Sequence, residues 1–315
     1  MSLSSGLMNR LLDRPIVERS IHRWRTLVRS DRDVACARFE SVIGYPPNLA
    51  APRTFCEKIT WLLLEYRPPW LAPLADKYEV RAYVEKNAGT RYLNPMIGLY
   101  GRVEEINWSS LPDAFALKAT HGSKWNILCP DRASFDPATA EAKCRRWLKE
   151  NFYWYGREWI YRPLKHRLIC EEFLADERGQ SPADYKIFCF GGDPRLIQMD
   201  EDRFVDHKRG FFTSRWEPLD ATMTYPPLVG PMPPPPRLEE MLDIARRLSA
   251  GIPFVRVDLY ELADRVVFGE LTFLPGRGVE PFAEERFNLE FGDWIQLPAA
   301  HPDHGIWSRL PAVFG

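Results

Sequence analysis

The chain has 315 residues and a formal charge of −1, with 45% hydrophobic and 27% charged residues, the balance of an ordinary globular protein. Near-neutral charge argues against a general nucleic-acid binder, and no run approaches the roughly twenty apolar residues of a membrane-spanning helix. The length exceeds one typical core, so two or three packed subdomains are expected.

The opening MSLSSGLMNRLLDRP lacks an apolar h-region, so no secretory signal is expected. Residues 16 to 45 read as helix, closed by Tyr45-Pro46-Pro47. Arginines at 10, 14, 19, 23, 25 and 29 decorate this stretch, as a solvated face or as a peripheral contact with an anionic membrane. Thr54 to Glu65 is a second helix, ended by Arg67-Pro68-Pro69. Asp76 then starts a third, with Glu79 three residues on as in a capping box and Asn87 and Gly89 as the stop. Lys77 and Arg81 lie four apart on what reads as one exposed face of its first turns, either plainly solvated or an anion site.

Phe115 to Ala119 is a strand carrying Lys118 among apolar neighbours. It runs into the small-residue turn Thr120-His121-Gly122-Ser123-Lys124 and a strand from Asn126 to Cys129. Backbone N–H groups of such a turn can wrap phosphate oxygens while the ammonium neutralises their charge. Asp136 to Asn151 is helical, and the aromatic run from Phe152 to Tyr155 is core or a platform for a flat ligand. Arg167 to Leu174 reads as a strand ending in paired glutamates. Tyr185 to Phe190 and Leu196 to Met199 form a hairpin around Gly191-Gly192-Asp193, with Asp184 and Lys186 beginning it on one face. Seven prolines between Tyr225 and Pro236 make an extended connector into an amphipathic helix from Leu238 to Ala250. The six cysteines have no metal-binding spacing and read as buried thiols of a reducing cytosol.

Phe254 to Gly278 reads as a second hairpin. Alternation puts Arg256, Asp258 and Tyr260 on one side of its first strand, and Val266, Phe268, Glu270 and Thr272 on one side of its second. Carboxylates in valine-rich strands must be paired, exposed or metal-bound. Two on adjacent strands suit Mg²⁺, which takes one or two protein carboxylates and completes its shell with water and phosphate. The alternative is an Arg256–Asp258 ion pair on a solvated face with Glu270 beside it.

Four stretches, DKYEVRAYVEKNAG, FALKATHGS, RLICEEFL with DYKIFCFGG, and FVRVDLY…FGELTFLPG, resemble the ATP-grasp superfamily in its order. The last is similar to the Arg-x-Asp…Glu-x-Asn…Pro-Gly signature of D-alanine–D-alanine ligases, with Thr272 in place of the asparagine. From about residue 50 to 297 the chain resembles the TupA-like ATP-grasp family. The resemblance implies an α+β, ATP-grasp fold: a helical region at 1–75, two α+β subdomains at 76–174 and 175–297 clasping ATP, and a tail at 298–315. It implies Lys118 on the α- and β-phosphates, assisted by Lys77 or Arg81, with Gly122 and Ser123 in the loop closing over the triphosphate. Glu171, Glu172, Phe173 and Leu174 would hold adenine, Asp184 the ribose and Lys186 the phosphates. Asp258, Glu270 and Thr272 would carry Mg²⁺, and Arg256 would stabilise the phosphoryl group in transfer.

The activity so implied is a cytoplasmic ligase that phosphorylates a carboxylate and lets an amine displace the phosphate, in a cell-envelope polysaccharide setting. A polysaccharide-modifying transferase (an ATP-dependent kinase or a glycosyltransferase) and a non-catalytic ATP-binding module are the alternatives.

Overall fold

The computed structural model describes residues 29–176, 179, 182–201 and 207–300. The expected helix over 16–28, the arginines at 10 to 25 and the tail from 301 lie outside them. The first described helix, α1 (Asp31–Ile43), opens with Ser30 accepting from Asp33 N–H and closes at Gly44 in the left-handed region, before the prolines expected to stop it. In α2 (Phe55–Glu65) the Thr54 hydroxyl caps the Glu57 N–H. The buried Glu57 carboxylate in turn accepts backbone N–H bonds from Asn48, Arg53 and Thr54 at 2.9–3.1 Å. A short helix α3 (Ala72–Ala75) leads to α4 (Val80–Asn87), which buries Val80, Tyr83 and Val84 as its pattern predicts.

A four-stranded antiparallel sheet follows, built from β1 (Met96–Tyr100), β2 (Phe115–Ala119), β3 (Asn126–Cys129) and β4 (Leu168–Glu172) in the order β1-β4-β2-β3. Phe115, Leu117, Ala119, Leu168 and Cys170 share a face and form a core with Cys144 and Trp147 of α5 (Pro137–Lys149), Trp125 and Phe152. Phe152 and Tyr153, the latter opening α6 (Tyr153–Gly156), are buried and serve packing, while Trp154 and Tyr155 are half-buried.

The second sheet has six antiparallel strands: β5 (Asp184–Phe190), β6 (Asp193–Glu201), β7 (Lys208–Thr213), β8 (Pro218–Leu219), β9 (Phe254–Glu261) and β10 (Val266–Thr272). Their order is β10-β9-β5-β6-β7-β8. Helix α7 (Leu238–Ser249) covers one face with Met241, Leu242, Ile244, Ala245 and Leu248, each large apolar side chain contributing about 1.5–3 kcal/mol on burial. On the opposite face Phe188, Phe190 and Phe254 line one end, and α2 inserts Phe55 there at 5.5 Å from the Phe254 ring. The terminal helix α8 (Glu285–Trp294) packs Phe287 and Phe291 around Phe282. The other end of that face is polar.

Candidate active site

The register of the six-stranded sheet sets Glu270 opposite Asp258, Asp258 opposite Lys186, and Lys186 opposite Gln198. Residues paired directly share a face, so these four form a row across β10, β9, β5 and β6. The next row holds Tyr260, Asp184, Asp200 and Arg209. On the other side stand Thr272, Arg256 and Phe188.

Strict alternation along β10 is corrected by the structure. Phe268 opposes Leu259 and Glu270 opposes Asp258, so Gly269 is an unmatched residue, a bulge. Val266 and Phe268 therefore turn into the core, while Glu270 and Thr272 keep the polar face. A Cβ at Gly269 would stand 3.0 Å from the Asp258 carbonyl oxygen, a close backbone approach that favours glycine.

Arg256 grips Asp258 with two bonds, Nε to Oδ1 and Nη2 to Oδ2, both 2.6 Å. Its Nη2 also donates to Thr272 Oγ1 at 3.1 Å, and that hydroxyl donates to Glu270 Oε1 at 3.0 Å. The plain ion pair weighed as the alternative is thus present, but Asp258 is only 4% exposed and the pair is not on a solvated face. Burial pushes the Asp258 carboxyl up to about 6 against the pull of Arg256, and the charge of Glu270 adds to the rise. Burial pushes Glu270 up as well, but Lys77 and Arg256 outweigh it and hold that carboxyl below its ordinary value.

Asp184 and Lys186, expected at ribose and phosphates, are buried and paired with each other. Lys186 Nζ also bonds Asp200 Oδ2 at 2.9 Å, and Asp200 accepts from Arg209 Nε at 2.7 Å and Gln198 Nε2 at 2.9 Å. Burial works to raise the Asp200 carboxyl, yet Arg209 and Lys186 hold it far below the ordinary carboxylate range. Sequence reading missed Asp200, Gln198 and Arg209. Alternation along DPRLIQMDE puts Gln198 and Asp200 on one face, but nothing local names their partners.

The four-stranded sheet presents Lys118 and Glu171 on the face away from its core, and Glu172 on the other. Glu171 is not a strand-end partner of Glu172: its buried carboxylate accepts from Lys118 Nζ at 2.8 Å and from Arg81 Nη1 at 3.0 Å. Glu172 is exposed, its carbonyl held by Asn94, and Phe173 and Leu174 follow beyond the strand end, half-buried. Lys77 precedes α4 instead of sharing an exposed helical face with Arg81. Its N–H bonds Thr120 O at 3.1 Å and its Nζ bonds Gly122 O at 2.6 Å. Burial lowers the Lys77 pKa, and the charge of Glu270 opposes the fall.

The expected capping box at Asp76 and Glu79 does not form. Asp76, 1% exposed, accepts N–H bonds from Tyr78 and Glu79 and the Thr120 hydroxyl at 2.8 Å, while Glu79 pairs with Arg167. This carboxylate therefore fastens the Thr120 turn to the start of α4. Next along the turn, His121 is fully buried; its Nε2 bonds Trp147 O at 3.0 Å and its ring stacks on His166 at 4.3 Å. Gly122 lies flat on the Trp125 ring, where a Cβ would stand 2.6 Å from Cε3, and Ser123 is half-buried beside it.

The residues present fit a magnesium–nucleotide. Asp258 and Glu270 are opposed oxygen donors, their mutual repulsion offset by Arg256 between them. Among the described residues no cluster of three or more His, Cys, Asp or Glu side chains can hold a metal. Two carboxylates alone match Mg²⁺, whose shell is completed by water and phosphate oxygens. Lys77, Lys118, Lys186 and Arg256 carry positive charge of the kind that would pair with phosphates.

No helix among the described residues is long and apolar enough to cross a membrane. None of the curated proteins matches the chain. Among solved structures it is similar to D-alanine–D-alanine ligase from Bacillus anthracis in complex with ATP, with 13% identity, 64% of this chain and 56% of that one covered, and a TM-score of 0.40. It is similar to an ADP complex of the N5-carboxyaminoimidazole ribonucleotide synthetase PurK (12%, 67% and 46% covered, TM-score 0.40) and to the ATP-grasp ligase PsnB with minimal precursor (12%, 72% and 61% covered, TM-score 0.38). The chain thus spans less than two thirds of the length of each. The family model described as TupA-like ATPgrasp matches residues 57–296, covering both sheets and every residue of the polar face, and the chain belongs to that TupA-like ATP-grasp family.

Proposed function

We propose that this protein is a Mg²⁺- and ATP-dependent ligase that activates a carboxylate as an acylphosphate and joins it to an amine. The observation that carries the reading is the row Glu270–Asp258–Lys186 with Arg256 standing on one sheet, while Lys118 stands on the other and Lys77 is tied to the turn that follows it. Glu270, Asp258 and Thr272 would hold the cation, which when bound neutralises phosphate charge. Lys118 and Lys77 would grip the phosphates, with Arg81 keeping Glu171 in place. Gly122 and Ser123 would lie over the triphosphate, and the backbone from Glu172 to Leu174 would border adenine. Arg256 would stabilise the phosphoryl group as it moves, since this chemistry depends on positioning and on neutralising oxyanions. In this reading Asp184 and Asp200 hold Lys186 in position instead of touching nucleotide. A reducing, cytoplasmic setting is supported by free thiols at all six cysteines, and a cell-surface polysaccharide is proposed as the polymer served.

The test is release of ADP and phosphate that requires both a carboxylate and an amine, with mass spectrometry of the product from a panel of uronic acids and amino acids. Lys118→Ala and Glu270→Ala are expected to abolish turnover while the fold is kept. ADP formed without any amine, leaving phosphate on the acceptor, would point to a kinase, and turnover retained in Glu270→Ala would sink the metal assignment.

A further inference from the structure

Beside the polar face lies a group of arginines that neither the sequence reading nor the proposed nucleotide contacts use. Arg277 follows β10, and its side chain lies on Gly156 so closely that a Cβ there would collide with it. Arg38 reaches the same residue from α1, its Nη1 bonding Gly156 O at 2.9 Å, and Arg157 is next in the chain. Arg277 Nε is held by Glu158 Oε1 at 2.8 Å, and Asp31 holds both Arg157 (3.2 Å) and Arg67 (3.1 Å). Arg38, half-buried, makes no ion pair among the described residues. Burial above all, with the neighbouring charges of Arg277 and Arg157 adding to it and Glu158 opposing, brings the Arg38 guanidinium down to about 10.

Backbone geometry points the same way. Arg157 and Arg277 are both held at φ 58°, a left-handed conformation that costs a bulky residue about 1–2 kcal/mol and that concentrates at functional positions. Tyr161, half-buried, has its hydroxyl pushed well up by burial and by the charges of Glu158 and Glu270, while Arg277 and Arg256 oppose the rise, so it feels both this cluster and the polar face.

We propose that Arg38 and Arg277, meeting at Gly156 with the Asp31-paired Arg157 beside them, hold an anionic group, a carboxylate or phosphate, on the acceptor that the enzyme modifies. The inference rests on the ligase reading for the word acceptor, but the anion site is testable without it. Fork-shaped guanidiniums suit both oxyanions, and Glu158 acts as the internal competitor that the substrate anion displaces from Arg277.

The experiment titrates the full chain with inorganic phosphate, D-glucuronate and uncharged glucose by calorimetry, in the presence and absence of Mg–ADP. Phosphate or glucuronate is expected to bind and glucose not to, the tighter anion naming the group recognised. Arg38→Gln and Arg277→Gln are expected to weaken the anion about tenfold or more, with Arg38→Lys losing less. Glu158→Gln should tighten it, an outcome that a merely structural role does not produce. Mg–ADP binding should be unchanged in Arg38→Gln; its absence from the wild type would count against the ATP reading alone. No anion binding up to about 10 mM, or equal affinity in wild type and Arg38→Gln, overturns the site.

Discussion

His121 offers a quantitative check on how the turn beside Lys118 is held. Its imidazole has no exposure, and burial drives its pKa from 6.5 down to about 4 despite the favourable bond to Trp147 O. The groups facing it are His166, stacked on it, and the charges of Asp76 and Lys77. A histidine whose folded pKa is depressed binds its proton better when unfolded. The stability it contributes is therefore complete above 6.5 and drains away as pH falls toward 4. At about 1.4 kcal/mol per unit, the loss between about pH 7.5 and about pH 5 is about 2 kcal/mol. Urea unfolding followed by tryptophan fluorescence measures this, with Trp125 packed edge-on against the ring at 5.4 Å as a local reporter. In His121→Gln the amide can keep the Trp147 bond without titrating, so the wild type should lose about 2 kcal/mol more than the variant across that range. Equal losses in both proteins would refute the assignment of a neutral, buried imidazole.

Asp200→Asn leaves Lys186 and Arg209 short of a shared carboxylate in a buried network, and the expected cost is about 3 kcal/mol in unfolding free energy. Denaturation at the wild-type midpoint would show that the network is not structural. Lys77→Met removes the ammonium bonded to Gly122 O, and Mg–ADP affinity by calorimetry should fall about tenfold or more, with unchanged affinity counting against its proposed role. Gly122→Ala forces a methyl into the Trp125 ring and should shift the turn, seen as weaker Mg–ADP binding with little change in overall fold by circular dichroism.

Much of the fold was legible because its signals are local. Thr54 and Glu57 mark a helix start through bonds made within four residues, and the apolar stripe of LEEMLDIARRLS gives α7 without reference to anything else. The hairpin of β9 and β10 also follows from a period of two, whereas the placing of Glu270 beside Asp258 depends on the bulge at Gly269. What failed depended on distant partners. The bulge at Gly269 is invisible in a pattern of alternation, and only the opposing strand reveals which residue is unmatched. Asp76 and Glu79 have the spacing of a capping box, but Thr120 and Arg167 claim their carboxylates. Glu171 and Glu172 look alike in sequence; the pairing of β4 with β2 sends them to opposite faces, and Lys118 and Arg81 then take the first.

The polar row also has a bearing on how the chain reaches its working form. Lys186 and Asp258 meet through β5 and β9, strands separated by three further strands, the proline connector and a whole helix. Such distant closures come at high entropic cost and are made late, after nearby turns and helices have condensed. Competence for nucleotide should therefore switch on only at the final step of folding. Recovery of Mg–ADP binding after dilution from denaturant would then lag behind recovery of helical signal, making the ligand a clock for completion.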